Sequence, residues 1–427
     1  MRPPLLPRLV APRLPFFYGW VVLACVCLAG FARQGPAVAV LSVFMVPMTD
    51  AFGWTRTEMA GAVSLGGVLA AVVSPVLGPV LDRRGARLIL GLAVLSTGLA
   101  TMGLSLVTTL AGFYGLFCFA RMVWAGPFDL GLYGALNNWF VAKRARANSI
   151  ASLAQMAGLV ALPIVAQLAM RDGGWRAGWV AVGVTVLVVG FLPVWLFVVR
   201  RPEDLGLAPD GLAPRAAAGA DGKPAPVEPR FSRAEALRTR AFWMVALYTV
   251  FLFPVQAGVS LHQAPHLIER GLSPVVAATV ISFFSAMSAL ASFAIGFLPR
   301  RVAVRRALSA AALLVAAGTL GLIAVDGAVT AYVFAGLFGL GIGGALTLLP
   351  MAWADYFGRE SYGAIRGVAL SMQVVAQAVG PVLSGILRDV TGTYTLSLSV
   401  FGALAGLAAL AVLSARSPMP PARRAGA

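Results

Sequence analysis

Charge is scarce in this chain. Only 11% of its 427 residues are Asp, Glu, Lys or Arg, where a soluble domain carries about 25%. So few charges cannot cover a water-facing surface, and 59% of the residues are hydrophobic, so lipid is the solvent that this composition fits. Cysteine is scarce too. Cys25, Cys27 and Cys118 all sit in apolar runs, with no CxxC spacing and no Cys/His cluster, which leaves no basis for a disulfide framework or a zinc site. There are two histidines, no HExxH and no Ser/His/Asp constellation, so a membrane enzyme would have little to work with. No phosphate-binding Gly loop is present, so ATP is not expected to drive the molecule. No cofactor or metal is expected. Acids are outnumbered, 16 against 33 Lys and Arg, giving a net charge of +17. In a soluble protein that would suggest nucleic acid. In a membrane protein the same excess arises from basic loops on the cytoplasmic side, and no nucleic-acid partner is expected.

What is present is length of apolar chain. A spanning helix needs about 20 apolar residues, and twelve such runs can be drawn. They cover 17–46, 58–81, 86–107, 110–139, 147–170 and 174–199, then 241–268, 274–298, 303–324, 329–354, 364–387 and 393–414. Arg2, Arg8 and Arg13 precede the first run, which is too long for the core of a cleaved signal peptide. It reads as an uncleaved span. Between the two sets lies 200–240, polar and rich in Pro, Gly and Ala, with no apolar period. That segment reads as a linker with a short interfacial helix near Phe231–Leu237. The expected architecture is an all-α membrane protein of twelve spans in two six-helix bundles, 1–199 and 241–427, joined by the 200–240 linker.

Lys and Arg set the orientation. With the N-terminus inside, 26 of them fall on the cytoplasmic side and 5 on the other: Arg56, Arg171, Arg176, Arg270 and Arg388. Both termini are therefore expected in the cytoplasm, in an inner membrane. Arg33 and Arg121 are left inside spans. The halves also echo one another. Gly53 matches Gly271 and Pro163 matches Pro381 at an offset of 218; Arg83 and Arg300, Trp139-Phe140 and Tyr356-Phe357, and Arg171-Asp172 and Arg388-Asp389 match at 217. Duplicated six-helix halves are an architecture of secondary carriers, with the solute held between the halves near mid-membrane.

The segment 78–87 reads GPVLDRRGAR. Gly78 permits close helix packing. Asp82 ends the second span, where it can face a helix N-terminus or an arginine. Gly85 permits a sharp turn, and Arg83, Arg84 and Arg87 hold the loop at the membrane face. The spacing G-x-x-x-D-R-x-G-x-R resembles the signature of the major facilitator superfamily, matched here by Gly78, Asp82, Arg83, Gly85 and Arg87. The resemblance implies the twelve-helix major facilitator fold and a cytoplasmic gate clamped by this loop. The second-half counterpart, GFLPRRVAVRR, keeps Gly296 and Arg300 but has no Asp and no second Gly. YGW at 18–20, FGWTR at 52–56, RPEDLGLAPDG at 201–211, YFGRESYGAIRG at 356–367 and GPVLSGILRDVTGTY at 380–394 narrow the likeness further. Together they resemble bacterial members of the monocarboxylate transporter and oxalate/formate antiporter branch. That branch has an Asp–Arg pair in its eighth span; here the eighth span carries no charge, so the resemblance does not carry that pair over.

Charges deep in a span are costly and are functional candidates by default. Arg33 is followed by Gln34, a further candidate substrate-binding residue, and by Gly35 and Pro36, which weaken the helix and free backbone groups. Its guanidinium can grip a carboxylate bidentately, or it can pair internally with an acid such as Asp129. Arg121 and Asp129 flank Gly126-Pro127 in the fourth span, about 12 Å apart on a straight helix and so not a direct pair. The resemblance implies a role in proton coupling for Arg121, which with Arg33 is also a candidate substrate-binding residue. Asp129 is the only acid well inside a span; it can carry a proton or sit in a structural polar network. His262 and His266, spaced i, i+4 around Pro265, lack a third metal ligand. His262 can be a protonatable group at the outer mouth, or both can simply make helix-end hydrogen bonds. Asn137, Gln256, Tyr332 and Gln377 are candidate cavity residues, although such groups often just tie helices together.

The reading that follows is a carrier of a small organic anion, a mono- or dicarboxylate, working by proton symport or anion exchange. It would act as a monomer in the lipid bilayer. An exporter of drugs or hydrophobic metabolites on the same fold, using Asp129 for proton exchange, is the alternative. A sensor without flux is a third reading, though the linker and short tails offer no output domain.

Overall fold

The computed structural model describes residues 5–211, 229–299 and 302–418. Expectations resting on Arg2, Arg300, linker residues 212–228 and the tail from 419 lie outside the described residues, as does the side chain of Arg56. All twelve apolar runs are helical. The first span is broken: helices Gly19–Ala32 and Val38–Phe52 are separated where Pro36 removes an N–H. The second span's helix is Arg56–Arg84, of which Gly61–Arg84 is the span, and the third span is Ala86–Leu106. The fourth is again broken, into Leu110–Ala125 and Pro127–Trp139. The fifth and sixth run as Arg144–Phe197, divided at Gly174, whose φ of 65° and ψ of −172° lie outside helical space. A π-helical turn, Val186–Phe191, follows inside the sixth. The later spans are Arg240–Glu269, Pro274–Ile295, Val304–Ala324, Ala328–Phe357, Tyr362–Thr391 and Thr395–Ser414. In the linker, Arg233–Leu237 forms a short helix capped by Ser232 and Glu235.

Local chemistry explains the starts. Thr55, Thr109, Thr239 and Ser273 each accept a first-turn backbone N–H through their hydroxyl, satisfying donors that a helix cannot satisfy itself. At Thr55 the cap is reciprocal, because Glu58 Oε2 accepts the Thr55 N–H at 2.7 Å.

The chain forms two compact units. The first comprises residues 1–228 together with 359–371, and the second comprises 229–358 and 372–427. The start of the eleventh span thus belongs, by its contacts, to the first unit. There Gly363 lies against the backbone of Gly78, an approach that leaves no room for a Cβ on either residue. Large apolar side chains stay exposed in stripes such as Val160, Ile164 and Leu168 on the fifth span. That pattern suits solvation by lipid rather than water.

The repeat is legible in three dimensions. Helix Ala86–Gly103 and its 3₁₀ extension Leu104–Leu106 recur as Val304–Gly321 and Leu322–Ala324, each 218 residues on. The positive-φ turn glycines Gly53 and Gly174 recur as Gly271 and Gly392 at the same offset. The sequence matches at 217, such as Arg171 with Arg388, are therefore one residue out of register with the turns. One residue fewer separates Arg171 from Gly174 than separates Arg388 from Gly392.

Candidate functional site

Two helix breaks in the first unit build its polar centre. Arg33 sits where Gly19–Ala32 ends and keeps its backbone N–H on Ala29 O at 2.8 Å. Asp129 sits in the first turn of Pro127–Trp139, at the end of a helix whose partial charge favours an anion. The Arg33 guanidinium donates from Nε to Trp124 O at 3.0 Å and from Nη1 to Gln155 Oε1 at 2.9 Å. Its Nη2 lies 3.7 Å from Asp129 Oδ2, an ion pair too long for a hydrogen bond. Arg366 Nη2 donates to Asp129 Oδ1 at 3.2 Å. Arg33 and Asp129 are each 7% exposed and Arg366 is 2% exposed.

Arg121 joins this centre through an aromatic ring. Its guanidinium lies 3.8 Å from the Trp124 ring centroid, and that of Arg33 lies 4.6 Å from the same ring. Two cations thus share one indole. The break at Gly126 does not bring Arg121 to Asp129; among the described residues Arg121 has no acidic partner, and its buried Nη1 has no hydrogen-bond partner. Gln34 Oε1 accepts the Trp124 indole N–H at 3.5 Å, and Gln155 Nε2 donates to Tyr133 OH at 3.4 Å. Among the described residues the centre gathers three guanidinium groups, Arg33, Arg121 and Arg366, and the carboxylate of Asp129. Such a charge imbalance in a low-dielectric interior is an electrostatic demand for an anion. Asn137 is fully buried about two turns beyond Asp129 on the same helix, with its backbone carbonyl accepting from Arg144 Nη2 at 3.3 Å.

Arg366 is not among the residues singled out from the sequence, where it falls in the stretch YFGRESYGAIRG at 356–367. The helix starts at Tyr362, which puts Arg366 on its second turn. The repeat offered a signal. The residue 218 positions earlier is Asn148, also fully buried, so this position is polar and interior in both halves. Trp124 gave no signal, since an indole in an apolar run reads as packing.

The loop motif lies in the same unit. Asp82 accepts from two backbone N–H groups at the start of Tyr362–Thr391: Gly363 N to Oδ1 at 2.7 Å and Ala364 N to Oδ2 at 2.8 Å. Gly85 takes φ 86° between the second and third spans, and Arg87 donates to Trp195 O from Nε and Nη2. Arg83 and Arg84 are exposed. Arg359 pairs with Glu203 and donates to Asn138 O.

The second unit has its own polar groups. Gln377 Nε2 donates to Gln256 Oε1 at 3.0 Å, bringing two of the sequence candidates together. Tyr332 is elsewhere, on the Thr279 hydroxyl at 2.7 Å. His262 Nε2 is 3.1 Å from Pro381 O and Nδ1 is 3.2 Å from Tyr394 OH. A carbonyl only accepts, so Nε2 carries the proton, and in the neutral ring Nδ1 accepts from the tyrosine. His266 Nε2 donates to Leu322 O at 2.8 Å. Among the described residues no group of His, Cys, Asp and Glu could hold a metal.

Comparison with known proteins bears on this arrangement. The chain is 27% identical over 407 residues to human monocarboxylate transporter 11, covering 91% of this chain and 80% of that protein. It is 25% identical over 331 residues to the aspyridones efflux protein apdF of Emericella nidulans, covering 76% of this chain and 62% of that protein. Two solved structures share the fold at 15% identity: the human organic anion transporter MFSD10, with a TM-score of 0.70 over 92% of this chain and 99% of that one, and the proton:xylose symporter XylE, with 0.72 over 92% and 94%. The Major Facilitator Superfamily model matches residues 19–381 and again 264–427. This multi-pass, twelve-helix membrane protein therefore belongs to the major facilitator superfamily, is related to the monocarboxylate transporters, and is a transporter rather than an enzyme.

Proposed function

We propose that the chain carries a small organic anion, a mono- or dicarboxylate, by alternating access, with Arg33 as the group that grips it. The observation that carries this reading is the charge of the first unit's centre: Arg33 and Arg366 both pair with Asp129, and among the described residues Arg121, on the same indole as Arg33, has no acid of its own. An incoming carboxylate has the charge and the bidentate geometry that a guanidinium matches. The 3.7 Å Arg33–Asp129 pair is the looser of the two, so Arg33 is the arginine to be given up to substrate. Proton coupling follows from the same arithmetic. In proton symport a proton taken by Asp129 cancels one negative charge as the substrate brings another, and in anion exchange one anion leaves as the next arrives, so either keeps the centre's balance. In the second unit His262, which donates to the Pro381 carbonyl and is hydrogen-bonded to the Tyr394 hydroxyl, is proposed as a protonatable group, with Gln256 and Gln377 as polar contacts for solute. We place the protein in a bacterial inner membrane with both termini cytoplasmic, on the Lys and Arg asymmetry of its loops.

The test is uptake of labelled monocarboxylates and dicarboxylates into proteoliposomes under an imposed pH gradient. Arg33→Gln is expected to abolish uptake; full retention overturns the anion-gripping role. The 25% identity to a protein named for aspyridones efflux supports a second reading, export of a hydrophobic metabolite. Proton-driven extrusion of such a compound, with no carboxylate flux in the same vesicles, would establish it in place of the first.

A further inference from the structure

The second unit carries a cleft of about 530 Å³ lined by Arg240, Arg305, Arg306 and Arg416, with Ala241, Leu413 and Ser414. Three helix ends meet there. Arg240 opens the seventh span, Arg305 and Arg306 stand in the first turn of the ninth, and Arg416 follows the twelfth by two residues. Among the described residues none of the four guanidinium groups has an ion pair or a side-chain hydrogen bond. The first unit treats its arginines differently. Arg87, which lies 218 residues before Arg305, donates to Trp195 O and lies over that ring, and Arg200 pairs with Asp204 at 2.9 Å. The segment after the sixth span supplies Glu203, Asp204 and Asp210, whereas residues 416–427 contain no acid. The helix Val304–Gly321 adds a second demand for an anion, because its N-cap is Ala303 and no side chain caps its first turn.

We propose that this cleft binds the phosphate headgroup of an anionic phospholipid on the membrane face where the linker and the C-terminal segment lie. Charge complementarity requires an anion. The apolar flank selects a lipid over a soluble phosphate. Leu413, 42% exposed, lines the cleft, Leu410 continues its face one turn further into the span, and Trp243 stands exposed one turn beyond Arg240. A phosphate over arginines with acyl chains along leucine and tryptophan fits that layout.

The experiment is native mass spectrometry of the purified full-length protein after equilibration in mixed micelles with equal amounts of phosphatidylglycerol and phosphatidylcholine. Phosphatidylglycerol should be retained in preference by about tenfold or more, given about 1 kcal/mol for each arginine near a lipid phosphate. The triple variant Arg305→Gln, Arg306→Gln, Arg416→Gln should bring the ratio close to unity, and Arg8→Gln with Arg13→Gln should leave it unchanged. The proposal is overturned if the triple variant keeps the preference, if the N-terminal pair loses it equally, or if excess inorganic phosphate displaces the lipid. Should the triple variant not fold, the native protein still decides. Its preference must fall as salt approaches about 1 M, where the screening length is about 3 Å, and an undiminished preference overturns the site.

Discussion

Asp129 and Arg366 stand 237 residues apart in the chain and meet at 3.2 Å in the interior of the first unit. Asp129 pairs with both Arg33 and Arg366, so its loss takes that acid away from two buried guanidinium groups. Asp129→Ala is expected to destabilise the protein by about 3–5 kcal/mol, the range for breaking a buried pair by removing one partner. Thermal unfolding in detergent, read by tryptophan fluorescence, measures this. Adding Arg366→Gln should restore part of the loss, because the second change removes a stranded cation. Independent, additive losses would show that the pair is not coupled.

Arg33→Lys distinguishes a bidentate grip from a point charge. Lysine keeps the charge but has no Nε to hold Trp124 O and no planar fork to offer. Uptake of a labelled carboxylate should fall by about tenfold or more, the equivalent of one lost charged hydrogen bond. The loss should appear as weaker apparent affinity as well as lower rate. Uptake at the native level with lysine would mean that charge alone suffices there.

These two residues illustrate what could be read in the chain and what could not. The twelve spans followed from apolar run length, and the break at Pro36 from its missing N–H; the break at Gly126, inside what read as one run over 110–139, did not. The internal repeat was visible in Gly53 and Gly271 before any coordinate. Asp129 stood out because it is the only acid well inside a span. Its partnership with Arg366 did not, because helical phase says nothing about which of two distant helices meet, and the start of the eleventh span was placed two residues late. Trp124 was invisible for a different reason. Its role, to lie beside Arg33 and Arg121 together, depends on three side chains converging from two spans.

The first turn of helix Arg56–Arg84, ahead of the spanning stretch Gly61–Arg84, should be sensitive to acid. The Thr55 backbone and side-chain hydrogen bonds to Glu58 hold its carboxyl below the usual carboxylate range. A group with a depressed folded value contributes stability above its unfolded value, and loses it as the pH falls through the folded one. Hydrogen-exchange protection at the Glu58 and Met59 amides should therefore drop as the pH goes below the ordinary carboxyl value of 4.5. Thr55→Ala should abolish that dependence while lowering protection at all pH values. A pH-independent protection in the native protein would show that the cap contributes nothing.

Asp82 offers a test of what the loop motif does mechanically. Its two oxygens cap the Gly363 and Ala364 N–H groups, donors that the helix beginning at Tyr362 cannot satisfy internally. A carboxylate there also meets the positive end of that helix. Asp82→Ala leaves both donors without this acceptor, and a loss of about 1–3 kcal/mol is expected. Asp82→Asn keeps an acceptor oxygen without the charge and should lose less. Arg83 and Arg84 are exposed, and Arg83→Gln should change stability by less than about 0.5 kcal/mol. Gly363→Val probes the same contact from the other side, since a side chain there would enter the space held by the Gly78 carbonyl and the Asp82 carboxylate. It should weaken the cap as Asp82→Ala does, and the double variant should lose little more than the worse single one. Exchange rates at the 363 and 364 amides report the cap directly. If they stay slow in Asp82→Ala, the carboxylate is not what protects them, and the motif's acid must act in some other way.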